Sequence, residues 1–326
     1  PTGLCHVWDR HAVQGRPIHW GFFLAALFAF CAAMFLTLVR WYHLVLALDL
    51  PLTFRDAMRY GLVGIFFNTF LPGSVGGDIV KAAVLARGQK RRTAAVATVV
   101  MDRAIALWAL VWFVALLGTA CWFLGFLAGG VASFIVTTAC VIVGVTGLVW
   151  VLLGFLPERR AERFAGRLEW LPGVGKTLAE LWRAVWVYRK KPRVVYKVML
   201  LSWVGHVGFV SAFFFGIMAF WSPEMGLIPG FAQHFLLVPM GLVMQALVPT
   251  PGGAGGGEWG FAALYMLFNA PEANGVLASL IQRVFSWLAG LAGWIAYLVA
   301  APSLPQEAPA PSEAAPPAQP SRALAG

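Results

Sequence analysis

The chain has 326 residues, of which 60% are hydrophobic and 12% are charged, and its mean hydropathy is +0.76. Soluble domains average roughly 25% charged residues, so this composition excludes an ordinary soluble domain and predicts an integral membrane protein. The net charge of +10 does not indicate a nucleic-acid partner. Its Lys and Arg residues cluster beside apolar segments, where such residues determine membrane orientation.

Five apolar runs are long enough to span hydrocarbon, which takes about 20 residues. They are Trp20 to Val39, Ile105 to Gly130, Val131 to Leu156, Val198 to Trp221, and Val284 to Ala300 with its flanks. Because the runs are continuous rather than alternating, they favour helices over barrel strands. We predict an all-α, polytopic transmembrane helix bundle over residues 20–300. An amino-terminal segment (1–19) precedes it, and a disordered Pro- and Ala-rich tail (301–326) follows it.

A glycine-rich loop, Leu71 to Asp78, follows the first span and reads LPGSVGGD. The apolar stretches on either side of it, Tyr60 to Leu71 and Ile79 to Ala86, are each too short to cross about 30 Å of hydrocarbon. We therefore predict that they are half-helices of a re-entrant hairpin. Asp102 and Arg103 lie in the next apolar helix.

The segment 158–197 is the most basic part of the chain, with eleven Lys and Arg residues against four acids. This excess predicts a cytoplasmic location, and the tryptophans of the segment suit amphipathic helices at the headgroups. A docking site for a partner is the alternative. Counting back through two spans makes the basic run 87–92 cytoplasmic as well. The same count puts Arg10 and Arg16 outside, which is unfavourable, so we expect a further helix upstream.

A second glycine-rich loop, Pro251 to Glu258, repeats the first after 180 residues. This shift superposes Gly73 on Gly253, Gly76 and Gly77 on Gly256 and Gly257, Asp78 on Glu258, and Arg103 on Arg283. The equal spacing from acid to arginine indicates an internal repeat. The matching half-helices are Phe231 to Val248, which we expect Pro239 to interrupt, and Trp259 to Phe268.

The predicted topology inserts the two copies from opposite sides, the first from the cytoplasm and the second from outside. Inverted repeats with broken helices that meet near the midplane are typical of transporters. At 1.5 Å per residue, Arg103 lies roughly 15 Å into a helix that starts near Ala94. Arg283 lies similarly deep in a helix that starts near Asn274. Both arginines are therefore predicted near the middle of the bilayer.

Charged side chains at this depth persist where they face a partner or an aqueous cavity. One interpretation is structural: each acid, Asp78 or Glu258, pairs with its arginine and locks a half-helix. The compatible functional interpretation is that Arg103 and Arg283 bind an anionic group in a bidentate manner. The acids, with Asp102, then gate the site or carry a proton. Asp102 and Arg103 do not form a pair, because neighbours on a helix do not face one another.

Glycines allow backbone conformations closed to other residues, and each loop leads into a helix whose amino terminus attracts anions. The alternative is that these glycines only permit close helix packing. The residues that we place in the predicted anion site, besides the two arginines, are Asn68, Lys81, Gly73, Gly76, Gly77, Gly253 and Gly256. The sequence shows no spacing typical of a metal site or of a nucleophile with its base. We predict no catalytic residue, no metal and no cofactor.

The string FFNTFLPGSVGGD at residues 66–78, with Lys81 and then Asp102 and Arg103 downstream, resembles the lysylphosphatidylglycerol synthase transmembrane-region family. The run PGGAG at 251–255 with Glu258 is similar to the second motif of that family, and Arg40-Trp41 in the first helix also fits. The resemblance covers about residues 18–300. Lys81 stands where relatives often have Arg, which keeps the charge but loses the bidentate geometry.

The resemblance implies a flippase-like membrane region that moves aminoacylated phosphatidylglycerol between leaflets, here without the soluble synthase domain. We therefore expect a multi-pass protein of the bacterial cytoplasmic membrane that translocates an anionic phospholipid or a lipid-linked intermediate. Its expected partner is a membrane lipid, and a biosynthetic enzyme is a further candidate. Two alternatives stay open: a membrane enzyme that modifies a lipid or glycolipid, and an accessory subunit that anchors a biosynthetic enzyme.

Overall fold

A computed structural model describes residues 18–71, 76–125, 130–248 and 250–300. The first 17 residues and the Pro- and Ala-rich tail lie outside the described residues, and so does Gly73 in the first glycine-rich loop. The described ranges contain α-helices and two short 3-10 turns, Pro223–Met225 and Pro251–Gly253, and no strand.

The α-helices of the described ranges number eleven. They are α1 (Trp20–Ala47), α2 (Phe54–Phe70), α3 (Gly76–Arg87), α4 (Arg92–Phe123), α5 (Val131–Leu153), α6 (Glu158–Glu169), α7 (Gly175–Lys190), α8 (Pro192–Ala219), α9 (Phe231–Leu247), α10 (Gly256–Leu267) and α11 (Glu272–Ala300). Five of them, α1, α4, α5, α8 and α11, are long and apolar enough to cross a membrane. The predicted all-α polytopic architecture is confirmed.

Two helical hairpins interrupt the series of spanning helices. The first consists of α2 and α3, with 17 and 12 residues, and the second of α9 and α10, also with 17 and 12. All four fall short of the about 20 residues that a spanning helix usually needs. The expected interruption at Pro239 is wrong, because α9 runs through this residue. A proline removes one backbone hydrogen bond from a helix, and neighbouring helices in a membrane stabilise the rest.

The internal repeat extends to the helix boundaries. Helices α3 and α10 begin at Gly76 and Gly256, and helices α4 and α11 begin at Arg92 and Glu272, so both pairs keep the shift of 180 residues. Helices α1 and α8 each have 28 residues. Each repeat therefore consists of a spanning helix, a hairpin and a second spanning helix: α1 to α4 in the first repeat and α8 to α11 in the second.

Contacts with α11 show that the hairpins enter from opposite sides. Along α2, Leu62 lies beside Gly293 and Thr69 lies beside Gly290, so α2 and α11 are antiparallel. Helix α10 is also antiparallel to α11, because Gly257 lies beside Ser279 whereas the later residue Phe261 lies beside Gly275. Helices α2 and α10 therefore point the same way. Since α2 leads to the tip of its hairpin and α10 leads away from its own tip, the repeat is inverted.

Helices α1 and α8 pack against each other and are also antiparallel. The backbone N–H of His19, before α1, donates to the carbonyl of Ala219 at the end of α8, at 2.9 Å. At the opposite end, Lys191 Nζ donates to the carbonyl oxygen of Ala47, at 2.7 Å. Apolar clusters fill both halves, one around Trp41 and the other around Phe213.

The two basic segments lie at the same end of the bundle. Arg91, from the run 87–92, is 3.9 Å from Glu180 of α7. Helices α6 and α7 form a pair held by Arg183, whose guanidinium reaches Glu162 at 2.7 Å, Glu169 at 2.8 Å and Glu180 at 3.0 Å. The sequence prediction that both segments face one side agrees with these contacts.

The first hairpin depends on close approach of its two helices. A Cβ at Gly77 would collide with the carbonyl oxygen of Gly64 and with Asn68. We predict that Gly77→Ala destabilises the purified protein by about 1–3 kcal/mol, as overpacking typically does. The measurement is the fraction that remains monodisperse after heating in detergent. The matched control is Gly144→Ala in α5, where a Cβ meets nothing within 4 Å; equal losses in the two variants would contradict the packing role.

Candidate functional site

The first acid and arginine pair joins the first hairpin to a spanning helix. Asp78 lies in the first turn of α3, and its Oδ2 forms an ion pair with Nε of Arg103 in α4. Lys81, one turn further along α3, places its ammonium 3.7 Å from Oδ1 of Asp78 and 3.6 Å from Oδ2 of Asp102. The same ammonium lies 4.5 Å from the centroid of the Trp41 ring, a cation–π contact.

Arg40 of α1 extends this group of charges toward the centre of the bundle. Its Nε lies 2.9 Å from Oδ1 of Asp102, and its Nη1 donates to the hydroxyl of Ser202 in α8 at 3.3 Å. Arg40, Lys81, Asp78 and Asp102 are all buried. We call Arg40, Asp78, Lys81, Asp102 and Arg103 the first-repeat cluster.

The motifs of the sequence do not predict Arg40 as a site residue. Arg40 contributes only to the family resemblance, although an arginine inside an apolar run is itself a signal of a buried partner. The interpretation that Asp102 and Arg103 are not a pair is consistent with the structure. Asp102 faces Arg40 and Lys81, whereas Arg103 faces Asp78.

The second pair has bidentate geometry. Nε of Arg283 donates to Oε1 of Glu258 at 2.9 Å, and Nη2 donates to Oε2 at 2.8 Å. The same carboxylate accepts a hydrogen bond from the backbone N–H of Gly255 at 2.8 Å, which caps the start of α10. Glu258 therefore joins the loop, the short helix and the spanning helix. The predicted pairing of each acid with its arginine is confirmed.

The arginines occupy equivalent positions along their helices but differ in exposure. Each lies the same number of residues from the start of its helix, α4 or α11, which corresponds to roughly 16 Å along the axis. The side chain of Arg103 is 51% exposed on the protein surface, and that of Arg283 is 10% exposed. A ligand that approaches the structure in this conformation therefore reaches Arg103 more readily than Arg283.

The loop residues named in the sequence analysis make packing contacts. Asn68 Oδ1 accepts the backbone N–H of Gly77 at 2.8 Å, and Gln245 Nε2 donates to the carbonyl of Gly252 at 2.8 Å. Gly253 has a φ of +69° and lies against Gln245. Gly76 packs against Leu71, and Gly256 packs against Val248. A role in anion binding for these residues stays a prediction.

The last turn of α2 contacts the second glycine-rich loop beside Arg283. A Cβ at Gly252 would lie 3.4 Å from the carbonyl oxygen of Thr69, in the last turn of α2, and 3.7 Å from Nη1 of Arg283. Parts of both repeats therefore converge at one place inside the bundle. The described residues contain no group of three or more His, Cys, Asp or Glu side chains that would hold a metal ion.

Spanning helices, two hairpins that enter from opposite sides and partly buried ion pairs near the hairpin tips define a multi-pass membrane protein with an inverted repeat. The family model for the lysylphosphatidylglycerol synthase TM region matches residues 10–293. Because this match covers most of the chain, the protein belongs to that family, in agreement with the motifs. Comparisons with curated proteins and with solved structures give no match.

The bidentate pair makes a thermodynamic prediction. Arg283→Met leaves the Glu258 carboxylate largely buried without its cation, and we expect a loss of up to about 3 kcal/mol of stability, since removing one partner of a buried pair is strongly destabilising. In the double variant Glu258→Gln/Arg283→Met no charge remains, so its loss should be smaller than that of Arg283→Met alone. Thermal unfolding of Arg283→Met, of Glu258→Gln and of the double variant, each compared with the wild type, measures the coupling. Additive losses would contradict the pairing.

Proposed function

We propose that this protein moves an anionic lipid between the leaflets of the membrane. The observation that carries the proposal is the two acid and arginine ion pairs, which join two hairpins of opposite direction to equivalent positions on two spanning helices. Broken helices of inverted repeats that meet inside the membrane typically form the substrate site of transporters. The family name refers to the membrane region of a lipid synthase, which supports a lipid as the ligand.

In this proposal the arginines bind the phosphate of the headgroup, because a planar guanidinium matches phosphate oxygens. Arg103 and Arg283 are the principal ligands, and Lys81 adds positive charge. Asp78 and Glu258 hold the arginines in the empty site and release them when the anion arrives. The exchange replaces the ion pair between an arginine and its acid with an ion pair between that arginine and the phosphate, and the released carboxylate then needs a second cation or a proton.

The orientation of the protein is part of the proposal. The basic segments 87–92 and 158–197 lie at one end of the bundle, and an excess of Lys and Arg favours the cytoplasmic side. We therefore assign that end to the cytoplasm of a bacterium, with the protein in its cytoplasmic membrane. The first hairpin then opens toward the inner leaflet and the second toward the outer leaflet.

An accessory subunit that anchors a biosynthetic enzyme is the second candidate function. The observation that favours it is that each acid is already paired with an arginine, as expected of charges that serve only to lock the helices together. This candidate predicts that the purified protein does not accelerate lipid exchange at all.

Leaflet exchange in reconstituted vesicles tests the proposal. Wild-type protein should accelerate the exchange of a labelled anionic phospholipid over protein-free vesicles. Arg103→Ala and Arg283→Ala should each slow it at least about tenfold, which corresponds to the loss of one charge-assisted hydrogen bond. Arg163→Ala, on the exposed side of α6, is the control and should exchange at the wild-type rate. Unchanged exchange in both arginine variants would contradict the proposed site.

A further inference from the structure

The two repeats bring equivalent positions into contact but place different charges there. In the first repeat, the Lys81 ammonium lies 4.5 Å from the centroid of the Trp41 ring. In the second repeat, the residue at the position of Lys81 is Phe261, and its ring stacks on Phe213 at 4.5 Å. Phe213 lies in α8, the helix that corresponds to α1, which carries Trp41. A stacked aromatic pair therefore replaces the cation–π pair.

Neighbouring contacts confirm that these positions correspond. Gly64 of α2 lies against Lys81, and Gly241 of α9 lies against Phe261. Asp102, the second carboxylate beside Lys81, is replaced by Gln282, one residue before Arg283. The second repeat thus keeps the acid and arginine pair and lacks the surrounding charges.

The difference decides how easily each arginine exchanges its partner. Lys81 lies 3.7 Å from Asp78, so this carboxylate keeps a cation when an incoming anion takes Arg103. In the described part of the chain, the ion pairs of Glu258 run to Arg283 alone, because Phe261 occupies the place of Lys81. Releasing Arg283 leaves Glu258 without a cation inside the membrane, which is strongly unfavourable.

The charge balance of the two groups also differs. The first-repeat cluster joins three cations, Arg40, Lys81 and Arg103, to two carboxylates, Asp78 and Asp102. The second group joins one arginine to one carboxylate. A bound group with a single negative charge would balance the first-repeat cluster, and it would unbalance the second group.

We propose that the first-repeat cluster is the receiving site for a monoanionic phosphodiester headgroup, and that Lys81 sets this charge requirement. Arg103, which is exposed, contacts the phosphodiester, and Lys81 then becomes the ion-pair partner of Asp78. The Glu258 and Arg283 pair acts as a neutral latch in this conformation. The inference rests on the proposed function for its ligand class, and it adds the unequal roles of the two repeats.

Lipid selectivity tests the role of Lys81. Vesicles that contain labelled phosphatidylglycerol, which is monoanionic, or labelled phosphatidylcholine, which is zwitterionic, give the ratio of the two exchange rates. Lys81→Met removes the extra charge and should lower this anionic-to-zwitterionic ratio about 10-fold, the effect of one charge-assisted contact. The matched control is Phe261→Met, a substitution at the corresponding buried position without a change of charge, which should keep the ratio. An unchanged ratio in Lys81→Met, or an equal loss in both variants, would overturn the inference.

A second variant moves the ratio in the opposite direction. Asp102→Asn raises the charge of the first-repeat cluster by one unit and should increase the preference for the monoanionic lipid, which a merely structural effect would not do. If Lys81→Met does not fold, Asp102→Asn alone tests the charge requirement. An anionic-to-zwitterionic ratio that stays constant or falls in Asp102→Asn would contradict it.

Binding can be measured independently of transport. Short-chain phosphatidylglycerol, added to the full chain in detergent, should raise the thermal midpoint of the wild type and of Phe261→Met more than that of Lys81→Met. If wild-type vesicles exchange neither lipid while this difference in thermal shift is present, the proposed function fails and the binding site stands. If the exchange occurs and the shifts are equal, the charge requirement is wrong.

Discussion

Asp78 and Glu258 each place a carboxylate inside the membrane, where an unpaired charge costs several kcal/mol. Each ties a hairpin that is too short to span the bilayer to a helix that does span it: Asp78 to α4 and Glu258 to α11. These ion pairs fix how deeply each hairpin lies and which face of the spanning helix it contacts.

The same constraint makes the two halves unequal. In the proposed exchange of partners, a carboxylate within hydrocarbon needs a second cation close by, and the Lys81 ammonium lies 3.7 Å from Asp78. The Glu258 carboxylate accepts hydrogen bonds from the backbone N–H of Gly255 and, in a bidentate manner, from Arg283. This arrangement stabilises the state in which Glu258 and Arg283 are paired. An inverted repeat can therefore supply two structurally related sites of which one exchanges its partners more readily.

The repeat, the half-helices and both acid and arginine pairs could be predicted from the sequence, because equal spacing in two copies is visible along the chain. Arg40 could not be placed by this route: its partner Asp102 lies 62 residues away, and neither Arg40 nor Asp102 has a charged counterpart in the second copy. The continuity of α9 through Pro239 depends on packing against neighbouring helices, which a local rule does not represent. The difference in exposure between the arginines likewise arises from tertiary packing.

Opposite insertion of the two hairpins is the central claim, and cysteine accessibility tests it most directly. With the four native cysteines replaced by serine, single cysteines at Gly88 and Asn269, just beyond the ends of α3 and α10, are exposed to a membrane-impermeant maleimide in sealed vesicles of known orientation. The inverted repeat predicts that one site is labelled from outside and that the other is labelled only after the vesicles are opened. Labelling of both cysteines from the same side would contradict it.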